Sequence, residues 1–339
     1  MDVLSDVVTV ARTGRPRSAR VRWHAPWAQE FAAVPGALAF QLVLEGRCWL
    51  LRPDAAPLRL ERGDVLFLPR GSGHVLADSP TASDVAPACT PDSFPTGTGP
   101  TGTSPADTAL VAADRVDRLG LDGPATVLLC GAYRTDPSRT HPLLHTLPEL
   151  LHLPSAPADH PELHAAVGLL AAEANGPRLG TDAIVPALLD TLLVYLLRRC
   201  FTDPAVRNSG DAPNSPAGTA DWAAALGDPA LAAALHALHT APGEPWTVAG
   251  LAARAGLSRA AFARRFAATV GLPPLRYLTW WRMTSAARLL RETDAPLRTV
   301  AAHLGYTSEF AFATAFKRAH GRPPGAYRRS PSGLFAEGI

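Results

Sequence analysis

The chain has 339 residues with 32 basic and 30 acidic side chains, so its formal net charge is only +2. This length allows two or three domains, and no apolar run reaches the roughly 18 to 20 residues that a membrane-spanning helix needs. The N-terminus lacks a basic start followed by an apolar core, so we expect no signal peptide and a cytoplasmic protein without membrane contacts. Four cysteines without regular spacing favour the same reducing compartment.

Short apolar runs separated by turn residues fill residues 20–78 and predict antiparallel β-strands. The runs lie at residues 40–44, 48–51, 58–60 and 65–68. Their length and spacing are typical of a small β-barrel or jelly roll. We therefore expect the N-terminal part of the chain to be a β-rich domain.

A motif among these predicted strands, Gly63-x5-Pro69-x-Gly71-x2-His74-x3-Asp78, is similar to the second sequence motif of the cupin family. Asp78 stands where that family usually has asparagine. The resemblance covers about residues 20–150 and implies a cupin-like barrel. The wider stretch around the motif is similar to cupin sensor domains, which implies that this part of the chain binds a signal.

The cupin resemblance also bears on metal binding. Cupin enzymes hold a metal with two histidines and a carboxylate from their first motif and one histidine from their second. Here the strand that would carry the first pair reads Phe40-Gln41-Leu42, without histidine. A lone histidine at a strand end, such as His74, is more often a hydrogen-bonded structural residue than a ligand. We therefore expect no catalytic residue and no cofactor, with His74 as the one candidate for a metal ligand.

The β-rich domain contains an interruption and three cysteines. Residues 79–107 are rich in Ser, Pro, Thr and Gly, cannot supply a packed core, and predict a long flexible loop between barrel strands. Cys48, Cys89 and Cys130 could form a thiol sensor in which Cys89, because of its loop, is the most exposed. The alternative that we favour is that Cys48 and Cys130 are small buried apolar residues and Cys89 is incidental. The candidate residues for sensing an effector or an oxidant are Cys48, His74, Asp78, Cys89 and Cys130.

Residues 151–201 predict a helical segment with two amphipathic helices, at 161–175 and 182–201. The second helix is apolar over so wide an arc that a monomer would expose a sizeable patch unless the helix packs against the barrel and the first helix. We favour pairing of two protomers in a homodimer. The predicted dimer contacts are Leu189, Leu193 and Leu196. Residues 202–220, rich in Asn, Ser, Gly and Pro, then predict a flexible linker.

The C-terminal part contains one pattern written twice, 50 residues apart. The sequence S-x3-F-x3-F-x4-G-x-P-P-x2-Y runs from Ser258 to Tyr277 and again from Ser308 to Tyr327. A fixed internal period indicates two copies of one supersecondary unit. Each copy begins with a short apolar helix pattern and a glycine before its serine.

Each copy predicts a helix-turn-helix, at about residues 247–270 and 296–320. A glycine permits the positive φ of the turn, and the serine caps the second helix. Phe262 and Phe266 share one face of that helix and would be buried, while small and basic residues occupy the opposite face. A packed inner face with a small, basic outer face is what a helix entering the DNA major groove requires.

Positive charge is concentrated in the same region. Residues 221–330 hold 14 basic against 6 acidic residues, a net charge of +8, whereas residues 1–220 hold 18 against 23, a net charge of −5. A plain pair of helical hairpins does not require this segregation. The charge distribution therefore favours a polyanionic partner for the C-terminal segment alone.

Longer blocks of sequence extend through both copies. They include Trp246-Thr-Val, Gly256-Leu-Ser258-Arg259, Tyr277-Leu-x2-Trp280-x-Arg282-Met283, Gly305-Tyr306-x-Ser308-Glu309 and Ala315-Phe316-Lys317-Arg318. Together they resemble the DNA-binding domain of the AraC/XylS family of transcriptional regulators. The resemblance implies two helix-turn-helix units joined by a linker helix, from Pro274 to about Glu292, with each unit reading a major groove of double-stranded DNA. It also implies that RNA polymerase is a partner.

We predict a multidomain α+β protein with a cupin-like sensor at 1–150, a helical dimerisation segment and an all-α DNA-binding domain at 221–330. Its function would be that of a sequence-specific transcriptional regulator whose cupin-like domain senses a small molecule or an oxidant. The alternative is a cupin metalloenzyme with an appended nucleic-acid-binding domain. The predicted DNA-binding residues are Ser258, Arg259, Ala260, Ala263, Arg264, Arg265, Arg282, Ser308, Glu309, Phe310, Thr314, Lys317 and Arg318.

Overall fold

The chain forms two compact units. The β-rich unit consists of residues 14–138 and 147–213, and the helical unit consists of residues 1–13, 139–146 and 214–339. The computed structural model describes residues 3–11, 16–53, 55–89, 110–114, 123–134, 141–155, 160–176, 178–203 and 220–329. Among these described residues, no helix is long and apolar enough to cross a membrane.

The strands of the β-rich unit form two sheets. The described strands are β1 Arg17–His24, β2 Ala28–Phe31, β3 Ala37–Glu45, β4 Cys48–Arg52, β5 Ala55–Leu60, β6 Val65–Leu68, β7 His74–Ala77, β8 Ala86–Cys89, β9 Leu110–Asp114, β10 Ala125–Arg134 and β11 Leu151–Leu153. One sheet has the order β11-β6-β3-β10-β1-β9 and the other β5-β4-β7-β2-β8. Apart from the parallel pairs β1–β9 and β2–β8, the recorded pairings are antiparallel. This is the predicted cupin-like architecture.

Apolar side chains from both sheets form one core. All four residues of β6 are buried, as expected for a short strand that is covered on both faces. Trp23 of β1 stacks on Trp27 with ring centroids 4.8 Å apart. Cys48 and Cys130 belong to the same core cluster, which agrees with the interpretation that they are small apolar residues.

Two predicted boundaries in this unit are wrong. Residues 86–89, placed in the flexible loop, form β8, which pairs with β2 at the edge of its sheet. An edge strand tolerates Pro87 because one side of its backbone needs no partner in the sheet. Residues 151–153, assigned to the helical segment, form β11 and pair with β6. Residues 90–107 of the predicted loop lie outside the described residues.

The predicted dimer face is also wrong. Helix α2 spans Pro161–Asn175 and α3 spans Thr181–Thr202, and the two helices pack against each other. Leu189, Leu193 and Leu196 are 0%, 2% and 0% exposed. The hydroxyl of Tyr133 in β10 donates to the Asp190 carboxylate of α3 at 2.9 Å. The wide apolar arc therefore buries α3 within its own unit, which was the alternative to protomer pairing.

The helical unit is built mainly from the C-terminal part of the chain. Its described elements are α1 Val3–Ala11, a 3-10 helix Pro142–Thr146, α4 Trp222–Gly227, α5 Pro229–Thr240, α6 Val248–Arg254, α7 Arg259–Val270, α8 Pro274–Glu292, α9 Leu297–His303, α10 Glu309–His320 and α11 Pro324–Arg329. Helix α8 has the bounds expected for the linker helix and is about 28 Å long at 1.5 Å per residue.

The helical unit takes two segments from the predicted sensor domain, so the bounds 1–150 are wrong for Met1–Thr13 and Arg139–Thr146. Helix α1 packs against α5 and α8, and its Val7 is completely buried there. The amphipathic pattern of α1 needs an apolar partner surface, and the helical unit supplies it. As a result the chain passes between the two units four times, whereas the sequence predicted a single linker. Residues 204–219 of that predicted linker lie outside the described residues.

Candidate nucleic-acid interface and sensor cavity

The first helix-turn-helix consists of α6, a turn at Gly256 and α7. Gly256 has a φ of +66°, which glycine adopts without a steric penalty. The Ser258 hydroxyl caps α7 by accepting a hydrogen bond from the Ala261 N–H at 3.3 Å. Gly271, with a φ of +82°, ends α7 in the left-handed conformation. Local sequence signals thus define both ends of this helix.

The second helix-turn-helix repeats these features in α9 and α10. Gly305 has a φ of +77° and Gly321 a φ of +72°. The Ser308 hydroxyl accepts a hydrogen bond from the Ala311 N–H at 3.1 Å. The duplicated sequence pattern therefore folds as two copies of one unit, as predicted.

The inner face of each second helix packs on the end of its own repeat. Phe262 and Phe266 of α7 are fully buried, and the Phe266 ring meets Tyr277 of α8 at a centroid distance of 5.9 Å. In the second copy the Phe316 ring of α10 meets Tyr327 edge-on at 5.2 Å. These aromatic contacts fix the orientation of α7 and α10, so the opposite faces of both helices point to solvent.

The outer faces of α7 and α10 carry most of the predicted DNA-binding residues. The exposed ones are Ser258, Arg259, Ala260, Arg264, Arg265, Ser308, Glu309, Phe310, Thr314, Lys317 and Arg318, and Ala263 is half-buried. Phe310 is 82% exposed, which leaves a large apolar ring in water on a polar face. Such a side chain suits contact with the methyl group of a thymine in the major groove.

Two neighbouring arginines on α7 have different surroundings. The Arg265 guanidinium forms an ion pair with Asp228, the residue that caps α5, at 2.7 Å. Arg264 is exposed on the outer face, where its guanidinium can reach a base edge. The ion pair of Arg265 is compatible with the packing role predicted for it, and base contact by Arg264 stays a prediction.

Arg282 has a structural role that differs from the predicted DNA contact. Its Nε donates to the Pro242 carbonyl at 2.6 Å and its Nη2 to the Glu244 carbonyl at 2.9 Å. A Cβ on Gly305 would lie 2.3 Å from the Gly243 carbonyl oxygen and 2.8 Å from Arg282 Nη2. The turn of the second helix-turn-helix therefore packs directly on the loop that precedes the first. Arg282 stabilises this junction by donating hydrogen bonds to main-chain carbonyl oxygens, so its guanidinium makes contacts within the protein.

A buried chain of polar side chains crosses the helical unit. His239 Nδ1 lies 3.2 Å from Asp6 Oδ2, and His239 Nε2 lies 2.7 Å from the Tyr277 hydroxyl. The same hydroxyl lies 3.0 Å from His141 Nε2, and His141 Nδ1 accepts the Leu143 N–H at 3.0 Å. We call Asp6, His239, Tyr277 and His141 the buried relay. It joins α1 and the segment before the 3-10 helix to the linker helix α8.

One proton arrangement satisfies every contact of the relay. Because His141 Nδ1 accepts from an amide, its Nε2 must carry the proton and donate to the Tyr277 oxygen. Tyr277 then donates to His239 Nε2, and His239 Nδ1–H donates to Asp6. Both histidines are neutral in this arrangement. Burial lowers the pKa of His141 well below its usual value, with neighbouring His239 adding to the effect. Burial also lowers the pKa of His239, although Asp6 opposes this shift.

The relay was not predicted from the sequence. Its members lie far apart in the chain, and Asp6 and His239 differ by 233 in residue number, so no local pattern connects them. The repeated tyrosine was the one available signal. In the second copy the matching Tyr327 instead accepts a hydrogen bond from Arg291 of α8, so the two copies of the motif hold the linker helix by different chemistry.

The β-rich unit contains a cavity beside His74. Its lining includes Phe31, Gln41, His74, Cys89 and Cys130. The His74 ring stacks on Phe31 at a centroid distance of 4.8 Å, and burial lowers the pKa of His74 to about 4. His74 is therefore neutral at pH 7.

His74 is held by two hydrogen bonds that fix its tautomer. Its Nδ1 lies 3.2 Å from the Ser72 carbonyl oxygen, which can only accept, so Nδ1 carries the proton. Nε2 must then accept from the Gln41 amide nitrogen, 3.3 Å away. The other predicted sensing residue of the motif, Asp78, lies in a turn and accepts the Trp27 N–H at 3.2 Å. Asp78 therefore has a structural contact.

The residues around His74 do not fit a metal site. The described residues contain no group of three or more His, Cys, Asp or Glu side chains placed to hold a metal ion. His74 Nε2 faces the Gln41 amide, at the position where the cupin resemblance would require a second ligand.

The three predicted sensor cysteines are all buried. Cys89, expected to be the most exposed, is 6% exposed because it ends β8. Burial raises the pKa of Cys48 to about 12, with Asp64 and Glu61 adding to the shift, and burial raises the pKa of Cys130 well above its usual value. Since the thiolate is the reactive form, Cys48 and Cys130 are poor nucleophiles in this state.

Two capped helix-turn-helix units on a linker helix, with basic residues on their outer faces, define a helix-turn-helix DNA-binding protein. The β-rich unit of the same chain has the cupin architecture. A family model described as cupin matches residues 2–202, and one described as a helix-turn-helix domain matches residues 251–330.

Relatives extend this similarity over the whole chain. A protein of Streptomyces lividans described as an AraC-like transcription regulator is 34% identical over 98% of this chain and 99% of its own length. The transcriptional regulator MtrA of Neisseria gonorrhoeae is 29% identical over 97% of this chain and 98% of its own length. The DNA-binding domain of AdpA, solved with a target DNA, is 38% identical and covers 30% of this chain and 90% of its own, with a TM-score of 0.28. The chain belongs to the AraC family of DNA-binding transcription regulators.

Proposed function

We propose that the protein binds a specific DNA sequence through the outer faces of α7 and α10 and changes this binding when the β-rich unit takes up a small molecule. The observation that carries the DNA-binding part is the exposed polar and basic face on two helices whose opposite faces are packed. Helix α8 is about 28 Å long at 1.5 Å per residue, which suits two grooves about 34 Å, or one turn of duplex, apart.

Arg264 is the residue that we assign to base recognition, because its guanidinium can bind O6 and N7 of a guanine at once. The substitution Arg264→Ala should cost roughly 1–3 kcal/mol of binding free energy and relax the preference at one base position. Arg265→Ala is the matched control, since Arg265 pairs with Asp228. This substitution should weaken binding to all DNA sequences alike. Titration of the full chain with operator and scrambled duplexes measures both effects. Equal, uniform losses from both substitutions would contradict the assignment.

The coupling between signal and DNA would run through the buried relay. Asp6 lies on α1, which precedes β1, and His141 follows β10, so two segments that continue into the β-rich unit end on the linker helix. A structural change in β1 or β10 can then shift α8, and it does not have to be transmitted through residues 204–219. Coupling free energies of this kind are typically 1–3 kcal/mol.

Asp6→Asn tests this route, because it keeps the shape of the side chain and removes the charge that faces His239. We expect the DNA affinity of the full chain to change by about fivefold or more, with unchanged helix content by circular dichroism. Asp182→Asn, at an exposed position of α3, is the control. An unchanged affinity in the Asp6 variant would remove the relay from the coupling.

A small molecule is a better candidate signal than an oxidant, because the thiols of Cys48 and Cys130 are buried and protonated. The metalloenzyme alternative is not favoured, since the described cavity lining offers one histidine and no carboxylate; metal analysis of the purified protein tests it. RNA polymerase as a partner and a cytoplasmic location follow from the proposed regulatory role. A homodimer remains a proposal, and its contact surface would have to exclude the three buried leucines of α3.

A further inference from the structure

The two helix-turn-helix units are built alike, so their outer faces can be compared position by position. In both copies a serine caps the second helix, two phenylalanines face inward and a left-handed glycine ends the helix. The shared pattern recurs 50 residues later, so each residue of α7 has a counterpart at the same place in α10. A difference between exposed counterparts is not needed for folding and points to what each helix contacts.

The counterparts at the start of the two helices carry opposite charges. The first residue of α7 is Arg259, and the first residue of α10 is Glu309. Both side chains are exposed. Because the unit folds with either residue at this position, the helix-turn-helix itself requires neither charge. The residues three and four positions after Glu309 are Phe312 and Ala313, so the Glu309 carboxylate has no cation on the next turn of its helix.

The cations of α10 lie at the opposite end of the helix. Lys317 and Arg318 are exposed in its last turn, where α7 has Ala267 and Ala268. The N-terminal residues of a recognition helix contact base edges in the major groove, whereas lysine and arginine away from the bases contact phosphates. We therefore expect α10 to bind the DNA backbone with its C-terminal end and to place Glu309 against base edges.

A carboxylate at that position restricts which base pair the helix can bind. The phosphates repel it whatever the DNA sequence is. Cytosine presents only a hydrogen-bond donor on its major-groove edge, the N4 amino group, and a carboxylate accepts from it. Adenine adds the acceptor N7 beside its amino group, and guanine and thymine present acceptors. Glu309 therefore lowers the affinity for most sequences and restores it where a cytosine lies against it.

We propose that Glu309 determines specificity by selecting a cytosine, next to a thymine that contacts Phe310, in the half-site that α10 reads. The inference rests on the proposed DNA-binding function and deepens it by naming the bases of one half-site. Helix α7 carries Arg259 and Arg264 at the places that Glu309 and Thr314 occupy in α10, and arginine binds guanine instead. The two half-sites therefore differ in sequence, although the two units share one fold.

Substitutions at Glu309 test the proposal by changing the base that is selected. Site selection from random duplex DNA gives the preferred bases of the full chain and of each variant, and circular dichroism checks the helix content. Glu309→Arg copies the residue of the first unit and should replace the selected cytosine by guanine. Glu309→Gln should replace it by adenine, which glutamine binds through N6 and N7. A wild-type half-site without cytosine, or the same base selected by the wild type and both variants, would overturn the proposal.

Affinity measurements at fixed salt separate base recognition from a structural role at the start of α10. Glu309→Gln should bind the wild-type site about tenfold more weakly, because one base contact is mismatched. Its affinity for a scrambled duplex should stay the same or increase, because a charge that the phosphates repel is lost. Asp182→Asn removes a negative charge from an exposed position of α3, outside the helix-turn-helix units, and should leave the selected bases unchanged. An equal loss on both duplexes in the Glu309 variant would contradict the assignment.

The same selection separates this proposal from the proposed function. A wild-type protein that selects two half-sites, with base preferences that do not depend on Glu309, would leave sequence-specific binding in place and overturn the role of Glu309. A wild-type protein that selects no sequence would overturn the proposed function itself.

Discussion

The buried relay makes a strong prediction about Tyr277→Phe. This substitution removes one hydroxyl and keeps the ring that packs on Phe266. The hydroxyl is completely buried and contacts His239 Nε2 at 2.7 Å and His141 Nε2 at 3.0 Å. Its loss removes two hydrogen bonds and leaves two buried imidazole nitrogens without partners.

Each hydrogen bond contributes about 1 kcal/mol net, and a buried polar group left unsatisfied costs about 1–3 kcal/mol. We therefore expect Tyr277→Phe to lower the free energy of unfolding of the helical unit by about 2–4 kcal/mol. That is a large share of the roughly 5–15 kcal/mol that stabilises a typical domain. Tyr327→Phe is the matched control from the second copy, where the hydroxyl contacts the partly exposed Arg291, and it should cost about 1 kcal/mol.

Urea denaturation at pH 7 measures both variants through the tryptophan fluorescence of the helical unit. The Trp222 and Trp280 rings both lie 4.9 Å from the His141 ring, so their emission reports on the relay directly. Equal losses in the two variants, or an unchanged midpoint for Tyr277→Phe, would refute the proposed hydrogen-bond arrangement.

Three further predictions follow from other parts of the molecule. Burial lowers the pKa of His74 to about 4 from an ordinary 6.5, so the unfolded chain binds the proton more readily than the folded chain. The free energy of unfolding of the β-rich unit should therefore fall by about 3 kcal/mol as the pH drops from 6.5 to 4. Thermal melts in the acid range would detect this loss, and His74→Gln should reduce it. Leu193→Ala should lower the free energy of unfolding of the β-rich unit by about 2–5 kcal/mol and leave the sedimentation coefficient of the folded protein unchanged. A change of oligomeric state without this loss of stability would restore the dimer interpretation. Arg282→Ala should weaken binding to a DNA site with two half-sites far more than binding to a single half-site, because it loosens the junction between the two helix-turn-helix units; equal loss on both duplexes in a gel-shift titration would argue for a phosphate contact instead.

The two helix-turn-helix units could be predicted from the sequence because their signals are local. Gly256 and Gly305 adopt the positive φ of the turns, and Ser258 and Ser308 cap the helices that follow. Each of these residues acts within four positions of itself. Because the pattern occurs twice, both copies support the same structural prediction.

Other features depend on tertiary packing and could not be predicted in this way. An apolar arc on a helix looks the same whether it faces a second protomer or its own domain, so the burial of Leu189 against neighbouring elements of one chain was not decidable from the pattern. Asp6, His141 and His239 are brought together only by the fold. Residues 86–89 looked like a loop because a short edge strand needs little apolar sequence.

Selection of binding sites from random duplex DNA by the full chain tests most directly whether α7 and α10 read DNA sequence together. We expect two short conserved blocks with centres about 10 base pairs apart, since each helix enters one major groove on the same side of the duplex. Selection with Arg264→Ala should relax one block, and selection with Phe310→Ala should relax the other. A single block that survives both substitutions, or the absence of any conserved sequence, would contradict joint reading by the two helices.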